Sequence, residues 1–578
     1  MKNTFPALLI ISIQFLGITC ALCAENPLVR PPAEWLNLQR QVWQDNGWRT
    51  EHIFPDVIAA SNPCNGEKEY FVMHEDSSPV TRESWRAEAF AGCRYPAARN
   101  PFTTLAMGAM LYDSNPHLLA EKNKTSYEAE LSGIFGTLKK LGLNSLVLCT
   151  YAAPEEWGTI EKVAANHGIK LIIQYTAAYY NPERGQDFFY RKSLPKALEF
   201  LGSCAKSPLL LGFAVKEEPY LNLLSGMQLY HFLLKKQYPN LPIYTLYNAT
   251  DAMIGTGSPP SEIMGTDIYP FLGGYFGGGR QSPSFLSPQK ALLSLSGNLK
   301  KRSHEAMLRD AVFTYTPTPF GYFEVILTEK LKEKNIPGKE FPGVMRLKNG
   351  FSVFWRRYAP PANAMRASVW LATAYGGQGT FPWFYQPRLP WLKEKSFEDY
   401  TELKEIQYDR TPAGATTGSD NSPVWHEYSS AWGEIRQYEK ILLKLRPDGI
   451  PRFETRDDLL VGRSFRFLSD DPGNAVILVN LDVGRWQDYP GIKMVKPFNL
   501  DVNRKGELTG YTPLNEPCTV KFNLRLKPDE IAYSVGEKRR ISPVSQGKLL
   551  QSFELPIKPG SGEIILICTP EIIEKTLK

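Results

Sequence analysis

Leu209-Leu210-Leu211-Gly212-Phe213-Ala214-Val215-Lys216-Glu217-Glu218-Pro219 is an apolar run that ends abruptly in two carboxylates. Four to eight apolar residues bounded by punctuation read as a strand covered on both faces, and Pro219 cannot continue a hydrogen-bonded ladder. The carboxylates therefore fall at the C-terminal end of the strand, where parallel α/β barrels carry their reactive groups. The plainer reading of an acidic pair before proline is a cap on the next helix. The segments on either side of the run decide between the two.

Working outward, strand-like and helix-like patterns alternate from about residue 100 to residue 447. Strands are predicted over 103–111, 145–151, 169–175, 209–215, 242–247 and 262–269. A seventh lies at 311–316 or 320–326, the later being preferred, and an eighth at 379–385. Between them, Thr125 with Glu128 forms a capping box. Leu131, Ile134, Phe135, Leu138 and Leu141 share one helical face until Gly142 stops it. Further helices are expected over 155–167, 189–204, 225–238, 288–310, 362–375 and 423–445. Eight strands joined by helices with right-handed crossovers fit a (β/α)8 TIM barrel, an α/β fold.

The flanks differ in texture. Residues 1–24 carry Lys2, an apolar run from Ala7 to Ala21 and a small residue at Ala24, the pattern of a secretory signal peptide, so a secreted or periplasmic protein is expected. The run is too short to span a membrane comfortably. Cys20 and Cys23 lack the preceding residues of a lipoprotein signal. Residues 25–99 show no clear period and read as an irregular segment packed on the barrel. Beyond residue 447, runs such as Ala475-Val476-Ile477-Leu478-Val479 and Glu563-Ile564-Ile565-Leu566-Ile567, separated by turns, argue a C-terminal antiparallel β-sandwich over 448–578. Cys64 with Cys93, and Cys518 with Cys568, are candidate bridges in an oxidising compartment, whereas Cys149 and Cys204 read as small buried hydrophobes. A formal charge of +6 over 578 residues, without a basic cluster, points to no nucleic-acid partner.

Four pieces in order across the barrel resemble the clan-A glycoside hydrolase superfamily. They are Asn144-Ser145-Leu146-Val147, then Leu211-Gly212-Phe213 leading to Glu217-Glu218-Pro219, then Gly265-Thr266-Asp267-Ile268-Tyr269-Pro270, and finally Arg366-Ala367-Ser368-Val369-Trp370 before Gly376-Gly377-Gln378-Gly379. The resemblance implies a barrel enzyme that cleaves a β-linked poly- or oligosaccharide, with retention. It makes Glu218 the general acid/base and a seventh-strand glutamate the nucleophile, for which Glu324 is the candidate and Glu329 its competitor. Many members have Asn where this chain has Glu217. Adjacent strand residues point to opposite faces, so only one of Glu217 and Glu218 is expected to face the cleft squarely; if both approached, repulsion would raise one pKa. An alternative pairs Glu218 with Asp267, as in barrel α-glycosidases, and another reading is a glycan-binding protein on a degenerate barrel.

Asp267 and Tyr269 end the sixth strand and are candidates for binding substrate, as are Glu217, Tyr175, Tyr247, Asn248 and Trp383. Aromatic residues make up 12% of the chain, and Tyr151 and Tyr385 also fall near strand ends. Flat apolar rings with polar edges suit sugars, although core packing is the commoner use of any one of them. The run Gly273-Gly274-Tyr275-Phe276-Gly277-Gly278-Gly279-Arg280 lacks the spacing of a phosphate cradle and reads as a loop over the cleft. The seven histidines form no pair at ligand spacing, so no metal and no cofactor is expected.

Overall fold

The structure is a computed structural model. It describes residues 40, 44, 47, 49–54, 57–61, 63, 68–72, 102–179, 192–218, 230–231, 234–235, 237–248, 261–271, 286–308, 311–319, 322–331, 344–346, 350–383, 423–448, 451–467, 473–487, 507–547 and 550–577. The expected signal peptide, Cys64, Cys93, Tyr385, the loop 273–280 and most of the helix at 225–238 lie outside them.

A curled parallel sheet forms the centre. Ala106–Met107 and Met110–Tyr112 are two halves of one extended run, β1. Ser145–Thr150 (β2), Lys170–Tyr175 (β3), Leu210–Glu217 (β4), Ile243–Asn248 (β5), Ile263–Asp267 (β6), Val312–Tyr315 (β7) and Gly379–Thr380 (β8) follow. Every adjacent pair from β1 to β8 is parallel. The two ends of the sheet meet in β1. The amides of Ala106, Gly108 and Met110 donate toward the β8 side, to Gln378, Thr380 and Pro382, while the carbonyls of Met107 and Ala109 accept from Asn144 and Val147 on the β2 side. Gly108 permits this junction, since a Cβ there would meet the Phe381 ring at 2.6 Å and the Ser145 carbonyl at 2.7 Å. The arrangement fits a TIM barrel.

One apolar cluster fills the inside, including Val147, Ile172, Leu246, Ile263, Val312 and Phe381. A larger one lies between the strands and their helices, with Leu146, Leu148, Leu171, Ile173 and Phe213 on the outward sheet face. Helix Tyr127–Lys140 buries Leu131, Ile134, Phe135 and Leu138, the stripe read from the sequence. Its cap is Ser126, not Thr125: the Ser126 side chain accepts from the Ala129 amide at 3.1 Å, while the Thr125 hydroxyl goes to Glu130. Gly142 and Gly168, with φ of +77° and +65°, end helices in the left-handed region as expected.

Three expectations are corrected. The seventh strand is the earlier candidate: Val312–Tyr315 pairs with β6 and β8, and Pro317 and Pro319, which have no amide proton, end its ladder. Tyr322–Leu327 instead pairs antiparallel with Phe351–Arg357, which also pairs with Val344–Arg346, in a separate three-stranded sheet. The segment before the barrel is not wholly irregular, because Arg49–Phe54, Val57–Ser61 and Lys68–Val72 form an antiparallel sheet. Cys518 and Cys568 are not bridged to each other, and they lie on different C-terminal sheets. Cys149 and Cys204 are buried, as read.

After the barrel come two antiparallel sheets, one of six strands and one of four. The first begins at Leu445–Pro447, just before the boundary expected at residue 448. The sheets share an apolar cluster that joins Leu460, Val476, Leu478, Ile565 and Ile567 to Val520, Phe522, Leu524, Phe553 and Leu555. Helix Ala362–Ala374, buried from Asn363 through Ala374, lies between barrel and sheets; Asn363 Nδ2 donates to the carbonyls of Val483 and Leu514.

Candidate active site

The C-terminal ends of the parallel strands form the mouth, and β4 reaches it irregularly. Phe213 and Ala214 pair in step with Ile243 and Tyr244, but Glu217 pairs with Leu246, so β4 uses three residues where β5 uses two. A bulge of this kind re-aims the side chains that follow it. The amide of Glu218 then bonds the Leu246 carbonyl at 2.8 Å, and its φ is +46°, a left-handed conformation that costs a non-glycine residue energy.

Bulge and turn together overturn the expectation that the two glutamates point apart. Glu217 Oε2 accepts from Gln174 Nε2 on β3 at 2.6 Å. Gln174 is fixed in turn, since its Oε1 accepts from the Cys149 thiol at 3.1 Å. Glu218 is hydrogen-bonded to Asp267 at the end of β6. Three carboxyl groups from two strands thus converge.

Their proton affinities follow from this crowding. Burial raises Glu217 to about 7, with the charge of Glu218 adding to the shift and the Gln174 hydrogen bond and Lys216 opposing it. Asp267 is raised well above the ordinary aspartate value, first by burial, then by its hydrogen bond to Glu218 and the charges of Glu218 and Glu217. Repulsion between neighbouring acids, anticipated for the case in which both approach, therefore acts on Glu217 and Asp267. Asp267, raised in this way, is a proton holder.

Aromatic groups complete one wall. The Tyr269 ring stacks on Trp383 with centroids 5.5 Å apart, and its hydroxyl lies 3.4 Å from Asp267 Oδ2. The Arg357 guanidinium, from the inserted sheet, sits 4.3 Å over the Tyr269 ring. Across the mouth, Lys216 Nζ lies 5.5 Å from the Tyr179 ring centroid.

Other candidates go elsewhere. Tyr175 is buried and stacks on Phe200 at 4.2 Å, and Tyr247 is buried in the cluster between sheet and helices. Asn248 ends β5 and pairs in register with Asp267, but its side chain lies outside the described residues. Glu324 is on the strand Tyr322–Leu327, outside the parallel sheet, and its side chain is likewise not described; Glu329 is exposed on the following turn. At the end of β7, Thr316 to Pro319 includes no carboxylate. Tyr151 is 60% exposed at the end of β2. Among the described residues no group of three or more His, Cys, Asp or Glu side chains forms a metal cage, and no helix is long and apolar enough to cross a membrane.

Gln174, Lys216, Tyr244 and Arg357 were missed by sequence reasoning. Gln174 left a signal, as the polar residue deep in the apolar strand Lys-Leu-Ile-Ile-Gln-Tyr. Arg357 left none, because its approach depends on how the inserted sheet folds back.

No family model matches the chain, and no curated protein matches it. Among solved structures it is similar to a glycoside hydrolase family 5 protein from Bacteroides vulgatus, with 9% identity over 81% of this chain and 90% of that one and a TM-score of 0.42. It is also similar to an α-amylase from H. orenii, with 11% identity, 81% and 100% coverage and a TM-score of 0.37. A third is a GH27 β-L-arabinopyranosidase from Geobacillus stearothermophilus, with 10% identity, 81% and 97% coverage and a TM-score of 0.37. Identities and scores this low carry no argument about the chemistry of this chain, which rests on its own geometry.

Proposed function

We propose that the chain is a glycoside hydrolase whose reacting groups are the carboxyls of Glu218 and Asp267. The observation that carries the reading is the hydrogen bond between these two acids, delivered by β4 and β6 to the mouth of a parallel sheet, with the Tyr269–Trp383 stack beside them. Asp267, as proton holder, protonates the departing glycosidic oxygen, and Glu218, as carboxylate, attacks or stabilises the oxocarbenium-like carbon. This replaces Glu324 by Asp267 and follows the β4 and β6 alternative. The aromatic stack offers a flat face to the C–H patches of a sugar ring.

A direct hydrogen bond holds the two carboxyls closer than the roughly 5 Å of retaining pairs or the roughly 6.5–9.5 Å of inverting ones. Substrate must therefore part them. Parting to the shorter of these separations would give retention. An oligosaccharide is the expected substrate, its α or β linkage to be read from the aryl glycosides below, and the leader at residues 1–24 carries the enzyme out of the cytoplasm to meet it. The two C-terminal sheets act as a sandwich that braces the barrel.

The test is turnover on matched α- and β-linked aryl glycosides and a glycan panel with product detection. Glu218→Gln and Asp267→Asn should each lower turnover by about 10³-fold while leaving the unfolding midpoint within a few degrees. Wild-type rates in either variant would sink the assignment. The lack of an acid at the end of β7 favours a second reading, glycan binding without cleavage, which binding to the panel with no product formed would support. Intact-mass analysis of the exported protein tests the leader: loss of the first two dozen or so residues is expected.

A further inference from the structure

Beneath the acids, the interior of the barrel is polar where an apolar layer would be ordinary. Tyr244 on β5, Gly265 and Asp267 on β6, and Thr314 and Thr316 on and after β7 share the inward face, from Asp267 at the mouth down to Tyr244, which pairs in register with Ile263 of the apolar cluster. Gly265 pairs with Thr314 on one side and Leu246 on the other. A Cβ built on it would lie 2.7 Å from Tyr244 Oη and 3.0 Å from Thr314 Oγ1, so two hydroxyls border its bare face. Tyr244 and both threonines are at most 1% exposed.

Thr314 Oγ1 and Asp267 Oδ1 are buried with no hydrogen-bond partner in the protein, while the buried Tyr244 Oη and Thr316 Oγ1 face each other and meet no further partner. Buried polar atoms without partners are rare singly, and two hydroxyls on one glycine face, with Thr316 and Asp267 beside Tyr244, make a set of complementary donors and acceptors. Three hydroxyls and one carboxyl oxygen suit a small neutral hydrogen-bonding ligand, and a site closed below by apolar side chains suits one that stays.

We propose that this layer is a binding site for internal water, which bridges the Tyr244, Thr314 and Thr316 hydroxyls and donates to the inward oxygen of Asp267. Water held there solvates the Asp267 carboxylate from beneath, on the side away from substrate. The other groups that face Asp267 are Glu217 and Glu218 from β4, Tyr315 from β7, and Tyr269 with Arg357 above it. Of these, the Tyr269 hydroxyl is on Oδ2, not on Oδ1. The site does not depend on the hydrolase reading, because its test needs no substrate.

Thr→Val keeps shape and removes the hydroxyl, and the sign of its effect discriminates. If the hydroxyls hold water, Thr314→Val should lower the unfolding midpoint by about 2 °C, because bonds are lost. If the hydroxyls stand unpartnered in a dry core, an apolar replacement of the same shape leaves the midpoint unchanged or raises it, which overturns the proposal. Should a variant fail to fold, a high-resolution crystal structure of the unaltered protein decides. Ordered solvent within hydrogen-bond distance of at least two of the hydroxyls is expected, and none there overturns the site.

Discussion

Glu217 shows how a single side chain can set stability against chemistry. Raised from 4.5 to about 7, it binds its proton more tightly in the folded state than in the unfolded chain. Its contribution to stability is therefore fully present below about pH 4.5 and is lost as pH climbs through 7. Glu217→Gln, which cannot ionise, should unfold at a higher denaturant concentration than the parent at pH 8, by an amount on the order of 1–3 kcal/mol, and should match it at pH 4. Denaturant titrations at the two pH values measure this. Equal midpoints at pH 8 would mean that the side chain is not desolvated. Glu218 carries a different cost, in its backbone: at φ +46°, glycine is the unstrained residue. Glu218→Gly should stabilise the fold by about 1 kcal/mol while removing turnover, a combination that a purely structural glutamate would not give.

At the scale of elements, β1 closes the sheet and β4 aims the acids. The closure depends on the bare Cα of Gly108, where a methyl group would meet the Phe381 ring and the Ser145 carbonyl well inside contact distance. Gly108→Ala should cost about 1–3 kcal/mol in chemical unfolding, as overpacking does, and a neutral result would show that the two ends of the sheet lie farther apart. The bulge in β4 is the second device. Without it, strand alternation would send one of Glu217 and Glu218 outward, and the hydrogen bonds to Gln174 and to Asp267 could not form together.

Across the whole molecule, helix Ala362–Ala374 lies between barrel and C-terminal sheets, so the two should behave as one unit. Arg366, only 2% exposed, ties them. Its guanidinium bonds Glu427 at 2.7 Å, Glu434 and Ser430 on helix Pro423–Arg436, and Ser561 at 3.2 Å beside the last long strand. Removing one partner of a buried ionic network leaves uncompensated charge, so Arg366→Ala should destabilise by about 3 kcal/mol and should melt barrel and sheets in a single transition. Two separated transitions in calorimetry would show that the units are independent. Trp370 packs so close to Gly562 that a Cβ there would meet its ring at 2.4 Å, so a chain ending at residue 447 should be recovered as insoluble protein.

The sequence by itself determined the alternation of strands and helices, the helix stripe Leu131-Ile134-Phe135-Leu138, the glycine stops at Gly142 and Gly168, and the placing of Glu217, Glu218 and Asp267 at strand ends. All of these are short-range consequences of side-chain period and backbone freedom. Only the tertiary structure decided which acids meet. The choice of Val312–Tyr315 over the next apolar segment as β7 turned on which segment found parallel partners on both sides, and with it Glu324 left the sheet. The inward turn of Glu217 needed a register slip against β5, and a slip is a relation between two strands that neither one spells out. Tyr175 and Tyr247, which looked like sugar platforms from their place in sequence, went to the core because neighbouring helices cover that face of the sheet.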